Sequence, residues 1–252
     1  MNKDEHMMEK RLIELANIAY NRNIPIYTDF LNLNEQNVYY NISKTLLPPI
    51  GIKPMGGYNL AERKIIAFFP DEMEEYLEYP YTTIFIKPSN KKFAQELTHR
   101  DFLGAIMNLG IERSKIGDIL VKEDICYVFC MKTIADYIID NLLKIKHTNV
   151  IVGFSSESID DYEPNYEEIK GTVASLRLDC VIALAYNSSR SKLTGYITEG
   201  KVFVNGKLIT SNAYNLKNGD IISVRGYGKF KYIEEITKTK KNKLLITLYK
   251  YV

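Results

Sequence analysis

Hydrophobic positions recur along this chain with two different periods, and the switches between them mark the elements. Near the N-terminus Leu12, Leu15, Ile18 and Ala19 stand at helical spacing, which predicts an amphipathic helix. Two β-prone runs follow at 50–55 and 64–69, with Gly56-Gly57 between them. The glycine pair reads as a turn, because the Lys-Ser/Thr that a phosphate-cradling loop requires does not follow it. Residues 81–87 alternate as a strand. Residues 98–109 read as a helix, with Thr98 and Asp101 suited to its start and Gly110 to its stop. Runs at 117–122 and 125–131 pair as strands across Glu123-Asp124. A second helix at 133–144 gathers Ile134, Tyr137, Ile138, Leu142 and Ile145 on one side, and 150–154 closes as a strand. The order βαββαβ predicts a ferredoxin-like (RRM-like) layer of helices on one sheet face.

The last third changes pattern. Leu176, Leu178, Val181, Ile182 and Ala185 give a short helical face. Asn187-Ser188-Ser189 breaks it and caps a second helix at 190–199, which buries Leu193 and Ile197 and stops at Gly200. Val202 and Val204, then Asn205-Gly206, then Leu208 read as a hairpin. Asn218-Gly219-Asp220 turns into strand 221–225, and strand-like stretches follow at 229–234 and 244–249.

Alternation assigns faces in the middle segment. Ile84, Ile86, Cys126, Val128 and Cys130 point toward the helices, so Tyr81, Phe85, Tyr127 and Phe129 point away. First and third strands are central neighbours in this topology. The four aromatic rings therefore form either an open platform suited to base stacking or a face covered by another domain. The acidity of this part of the chain favours a cover.

Composition narrows the class. The chain has 252 residues, 46% hydrophobic and 25% charged, which excludes global disorder, collagen and coiled coil and suggests two or three domains. Its net charge of +2 conceals an asymmetry. Residues 155–171 carry six acidic residues and one Lys among Ser, Pro and Gly, and read as a solvated linker. From Gly171 onward there are 14 Lys+Arg against 5 Asp+Glu, net +9; residues 1–170 keep 19 against 26, net −7. A compact basic module is the footprint of a phosphate-rich partner. Arg190, Lys192, Lys201, Lys207, Arg225, Lys229 and Lys231 cluster around its helix pair and strand edges, and the helix start at Ser188–Ser189 offers N–H groups to the same charge.

The polar, mixed-charge N-terminus shows no signal peptide, and no window approaches the roughly 18 apolar residues of a membrane span, so a cytoplasmic protein is expected. Cys126, Cys130 and Cys180 read as reduced thiols, and His6, His99 and His147 lie far apart without partners at ligand spacing. No metal, cofactor or small-molecule substrate is expected. His99-Arg100-Asp101 shares its letters with a kinase catalytic loop, but no other kinase motif accompanies it. The octet 225–232 resembles the RNP1 motif but departs from it at Lys229 and Phe230. Its glycines read as a bend.

Five pieces of the last third resemble the S4 RNA-binding domain (αL motif): Leu176-Arg177-Leu178-Asp179, Ser189-Arg190-Ser191, Gly200-Lys201-Val202, Val204-Asn205-Gly206-Lys207 and Gly219-Asp220. The whole chain resembles the YlmH family of bacterial S4-domain proteins. This rests on Gly56-Gly57-Tyr58, Ala61-Glu62-Arg63-Lys64, His99-Arg100-Asp101-Phe102-Leu103-Gly104, Leu109-Gly110-Ile111, Ile116-Gly117-Asp118-Ile119-Leu120 and Arg225-Gly226-Tyr227-Gly228. The expected fold is α+β and multidomain: an N-terminal α+β domain at 1–75, the ferredoxin-like domain at 76–154, the linker at 155–171 and the S4 domain at 172–252. The resemblance implies a non-catalytic protein on structured rRNA or tRNA of the large ribosomal subunit, in ribosome quality control, with a cell-division link left open. It implies RNA contacts at Arg177, Arg190, Lys192, Lys207 and Arg225, to which the basic cluster and helix start add Ser189, Lys201, Lys229 and Lys231, with Asp179 as a fold anchor. The alternative is an RNA-modifying enzyme, since Leu176-Arg177-Leu178-Asp179 also resembles the catalytic motif of pseudouridine synthases, with Asp179 as nucleophile.

Overall fold

The computed structural model describes residues 3–42, 46–90, 95–157, 159, 162, 164–239 and 242–251. Its contacts divide the chain into two compact units, Met1–Tyr162 and Glu163–Val252.

The first unit begins with helix α1 (Lys3–Arg22), strand β1 (Ile26–Tyr27), helix α2 (Leu33–Ile42) and strands β2 (Gly51–Met55) and β3 (Ile65–Phe69). The strands form an antiparallel sheet in the order β1-β3-β2. Central β3 is buried along its whole length. Leu12, Leu15, Ala16 and Ala19 of α1 pack with Val38, Tyr39 and Ile42 of α2 against Ile66 and Phe68. Helix α2 escapes the hydrophobic pattern, because its sequence is rich in Asn and weakly helical. Its start is nonetheless specified. The Asn32 side chain accepts from the N–H groups of Asn34 and Glu35 (2.9 and 3.0 Å), and the Glu35 carboxylate accepts from the Asn32 N–H (2.7 Å). That reciprocal cap is written in the sequence as Asn-x-x-Glu.

Next come β4 (Tyr81–Pro88), α3 (His99–Met107), β5 (Ile116–Lys122), β6 (Ile125–Met131), α4 (Lys132–Asn141), β7 (Lys144–Ile145) and β8 (Thr148–Phe154). The strands order as β5-β6-β4-β8-β7, all antiparallel. Thr98 and Asp101 form a capping box at the start of α3. Helix α4 ends at Asn141, earlier than the pattern implied, because Ile145 pairs with Thr148 in the tight β7–β8 hairpin. Ile84, Ile86, Cys126, Val128 and Cys130 share one core with Phe102 and Ile106 of α3 and Ala135 and Ile138 of α4.

The other face of this sheet is not open. Tyr127 and Phe129 are buried in a cluster with Phe30, Tyr58, Ala61 and Ile65 from the N-terminal part of the chain, and Tyr81 and Phe85 flank it half-buried. Of the two readings of Tyr81, Phe85, Tyr127 and Phe129, the cover that the acidity favours matches this packing, and the open base-stacking platform does not. Burying Tyr127 and Phe129 stabilises that interface by about 2–3 kcal/mol each. Gly57, at φ +97°, sits so close that a Cβ there would lie 2.3 Å from the Phe129 ring. Asp118 ties the same joint: its carboxylate accepts from the Tyr58 hydroxyl (2.9 Å) and from the N–H groups of Glu62 (2.7 Å) and Arg63 (3.1 Å). The Arg63 side chain in turn donates to the carbonyls of Ile116 (2.9 Å) and Phe30 (2.7 Å). Motif pieces 56–64 and 116–120, distant in sequence, thus meet to hold one surface shut.

The second unit holds β9 (Tyr166–Val173), α5 (Leu178–Ala185), α6 (Arg190–Thr198), β10 (Val202–Val204), β11 (Lys207–Leu208), β12 (Ile221–Val224), β13 (Gly228–Lys238) and β14 (Leu244–Tyr251). Its sheet runs β11-β10-β12-β13-β14-β9. Helices α5 and α6 bury Leu178, Val181, Ile182, Leu193 and Ile197 against Val202, Val204, Ile222, Val224, Phe230 and Tyr232. Asn205 and Gly206 both take positive φ (49° and 75°), the backbone that a two-residue hairpin turn requires. The Asn205 amide also donates to Asp220 (2.8 Å) and its oxygen accepts from the Ile221 N–H (2.9 Å), which fixes the hairpin to the next turn.

One expectation needs correction. Part of the acidic stretch 155–171 is strand β9, paired with β14 from Val173↔Leu244 to Tyr166↔Tyr251. Residues 158, 160, 161 and 163 of that stretch lie outside the described residues. β9 is an edge strand, and charged residues such as Glu167, Glu168 and Lys170 are what blunts an exposed edge. The same composition reads as linker when pairing is unknown.

Candidate nucleic-acid interface

The basic residues of the second unit are placed by its helix starts, its hairpin and its sheet. Arg177 precedes α5 as its N-terminal cap residue, and Ser189 caps α6 by accepting from the Lys192 N–H (3.4 Å). Arg190 and Lys192 occupy the first turn of α6, and Lys201 follows its end. Lys207 lies on β11, Arg225 follows β12, and Lys229 and Lys231 lie on β13.

Six of these eight cations fall into two groups. Arg177 and Arg190 converge on Asp179, which is 3% exposed: Arg177 Nε is 3.2 Å from one carboxylate oxygen, and Arg190 Nη2 bonds the other. Burial pushes the Asp179 carboxyl up, but the hydrogen bonds from Arg190 and Arg177 outweigh it and hold the group below the ordinary carboxylate range. The two arginine side chains remain 42% and 53% exposed, so each anchors the fold while keeping an edge on the surface.

The second group is set against aromatic rings. Lys192 Nζ lies 5.8 Å from the Tyr227 ring centre, Lys201 Nζ 5.0 Å from Tyr196, the Arg225 guanidinium 5.2 Å from Phe203 and Lys229 Nζ 5.2 Å from Tyr251. Tyr227 also meets Tyr196 edge-on at 5.2 Å. A hydrogen bond to Tyr227 raises the Lys192 pKa, and one to Glu199 raises that of Lys201, so both stay charged. A ring face beneath a cation positions it without neutralising it. The arrangement presents fixed positive charge beside π-faces, which suits phosphate and base together.

Gly226 and Gly228, at φ +85° and +110°, form the bend expected of the 225–228 motif. The sequence reading missed the tyrosines. Nineteen Tyr and no Trp in the chain, and the alternation Tyr249-Lys250-Tyr251, were the available signal. Among the described residues no group of three His, Cys, Asp or Glu is placed to hold a metal, and no helix is long and apolar enough to cross a membrane.

Comparison with known proteins fits this geometry. Residues 78–157 match the model of a putative RNA-binding domain in YlmH, and residues 176–222 match the S4 domain. The chain is 31% identical over 253 residues to ribosome-associated protein quality control protein P2 of Bacillus subtilis, covering 97% of this chain and 95% of that protein. The chain belongs to the YlmH family. Part of this YlmH-family chain, 35% of it, is also 36% identical to small ribosomal subunit protein uS4A of Clostridium acetobutylicum, covering 49% of that protein. A solved structure, cell division protein ylmH from Streptococcus pneumoniae, aligns with TM-score 0.48 and 23% identity over 62% of this chain and 93% of that one. The S4 match of the YlmH-family chain includes Arg177, Ser189, Arg190, Lys192, Lys201 and Lys207 but stops short of Arg225, Lys229 and Lys231.

Proposed function

We propose that this YlmH-family protein is a non-catalytic RNA-binding protein of the cytoplasm. It docks its second unit on structured rRNA or tRNA of the large ribosomal subunit and takes part in ribosome-associated quality control. The observation that carries this reading is the set of cations held over aromatic rings on a module of net charge +9. The B. subtilis relative, whose name places it in that process, supports the ribosomal assignment. We read Ser189, Lys192, Lys201, Lys207, Arg225, Lys229 and Lys231 as RNA contacts, and Arg177 and Arg190 as residues that anchor the fold and touch RNA with their exposed edges. Asp179 supports the non-catalytic reading, because its oxygens are committed to two arginines within the fold. The order β5-β6-β4-β8 supports reading residues 76–154 as ferredoxin-like, and that domain contributes shape rather than stacking.

Cosedimentation with purified 50S and 30S particles tests the proposal. The protein is expected to pellet with 50S particles at low salt, to be released as salt rises, and to be weakened by Lys192→Glu with Arg225→Glu. Equal recovery with 30S particles, or recovery indifferent to salt, would overturn it. Arg190→Glu is the wrong probe, because it sets a second carboxylate against buried Asp179 and damages the fold.

A further inference from the structure

A groove of about 530 Å³ opens in the second unit beside the interface cations. Leu184–Asn187, at the end of α5, forms one wall, Gly226 and Tyr227 form another, and Glu167 and Lys250 of the paired strands β9 and β14 complete it. Its volume falls within the range of small-ligand sites. Two observations give it a chemistry. Tyr186 and Tyr227 make an aromatic wall, with ring centres 5.1 Å apart. Two ammonium groups flank that wall: Lys192 over the Tyr227 ring, and Lys250 at the rim, where it pairs with Glu167 at 2.9 Å.

We propose that this groove takes one unpaired nucleotide of a bound RNA, its base against the Tyr186–Tyr227 wall, and Lys192 and Lys250 facing the adjoining phosphates. The proposal rests on the RNA-binding reading above and adds to it a preference for single-stranded positions. An aromatic wall accepts any base, so the groove selects for an unpaired nucleotide rather than for a sequence. A base within a continuous duplex stays in its stack and does not enter. Gly226 leaves the mouth clear, since a Cβ built there meets no atom within 4 Å.

The test uses the full chain and two RNA probes: a stem–loop with 2-aminopurine at an unpaired loop position, and the same stem as a blunt duplex. Wild type is expected to bind the stem–loop more tightly and to quench its 2-aminopurine emission. Tyr227→Ala should abolish the quenching and weaken stem–loop binding by about 5- to 150-fold, the range that removal of one base–aromatic stack gives, while duplex binding, which loses only the ring beneath Lys192, falls by less. Unchanged quenching in Tyr227→Ala, or equal wild-type affinity for the two probes, would each overturn the groove. Failure of wild type to bind either probe or ribosomal particles would instead overturn the RNA-binding reading.

Discussion

Lys192→Ala separates electrostatic docking from fold stability. Lys192 is exposed, and its ammonium lies over Tyr227 rather than against a buried carboxylate. Six basic side chains of the interface stand apart from Asp179: Lys192, Lys201, Lys207, Arg225, Lys229 and Lys231. Lys201 also answers Glu199 at 2.6 Å, so the surface can neutralise about four to six phosphates. Each contributes about 0.7–0.9 to the slope of log K against log salt, which sets a wild-type slope of about −3 to −5. Raising salt from about 50 to about 200 mM then costs about 10²–10³ in affinity. Lys192→Ala removes one contact, so its slope should be shallower by about 1. Its stability should stay within about 0.5 kcal/mol of wild type, as for most surface substitutions. Fluorescence anisotropy with labelled large-subunit rRNA fragments over a salt series measures the slope, and thermal melting measures stability. A wild-type slope shallower than about −1, or parallel lines for the two proteins, would refute the electrostatic mechanism.

Three further outcomes follow from the packing. Phe129→Ala should destabilise the first unit by about 3–5 kcal/mol in a denaturant melt, because its ring is 2% exposed and pressed against Gly57; a loss under 1 kcal/mol would reopen the stacking platform. Gly57→Ala should fail similarly, since its Cβ would strike the Phe129 ring at a backbone conformation that L residues rarely adopt, and a wild-type melting temperature would contradict this packing. Asp179→Asn should cost about 1–3 kcal/mol at pH 7. The folded-state pKa of Asp179 is depressed, so its contribution is present above the unfolded value of about 3.9 and is lost as pH falls through the folded one. The variant and wild type should therefore converge in stability in acid; a gap that stays constant from pH 7 to pH 3 would show that the carboxylate charge is not what anchors the arginines.

Much of this was legible in the sequence for a physical reason. The α3 cap, the Asn205-Gly206 hairpin and the alternation of Ile84, Ile86, Cys126, Val128 and Cys130 are local rules read over a few residues. The cation set was legible as charge and motif, but its division was not. Arg190 and Lys192 look alike in sequence, and only the approach of Asp179, 11 residues earlier than Arg190, sets them apart. What covers a sheet face is likewise a long-range fact: Tyr127 and Phe129 alternate as an open platform would, and Phe30 and Tyr58 decide otherwise. The edge strand β9 was hidden because its partner lies far along the chain.

That partner carries a kinetic consequence. Pairs between β9 and β14 join residues 71 to 85 positions apart, from Val173↔Leu244 to Tyr166↔Tyr251. The S4 match at 176–222 lies wholly inside this closure. Contacts of such separation must meet the entropy of loop closure before they return any stability, so they slow folding. During synthesis β9 emerges early and waits, an unpaired edge, until β14 has followed it. Its charged residues then serve a second purpose: they keep a waiting strand from pairing with the wrong chain.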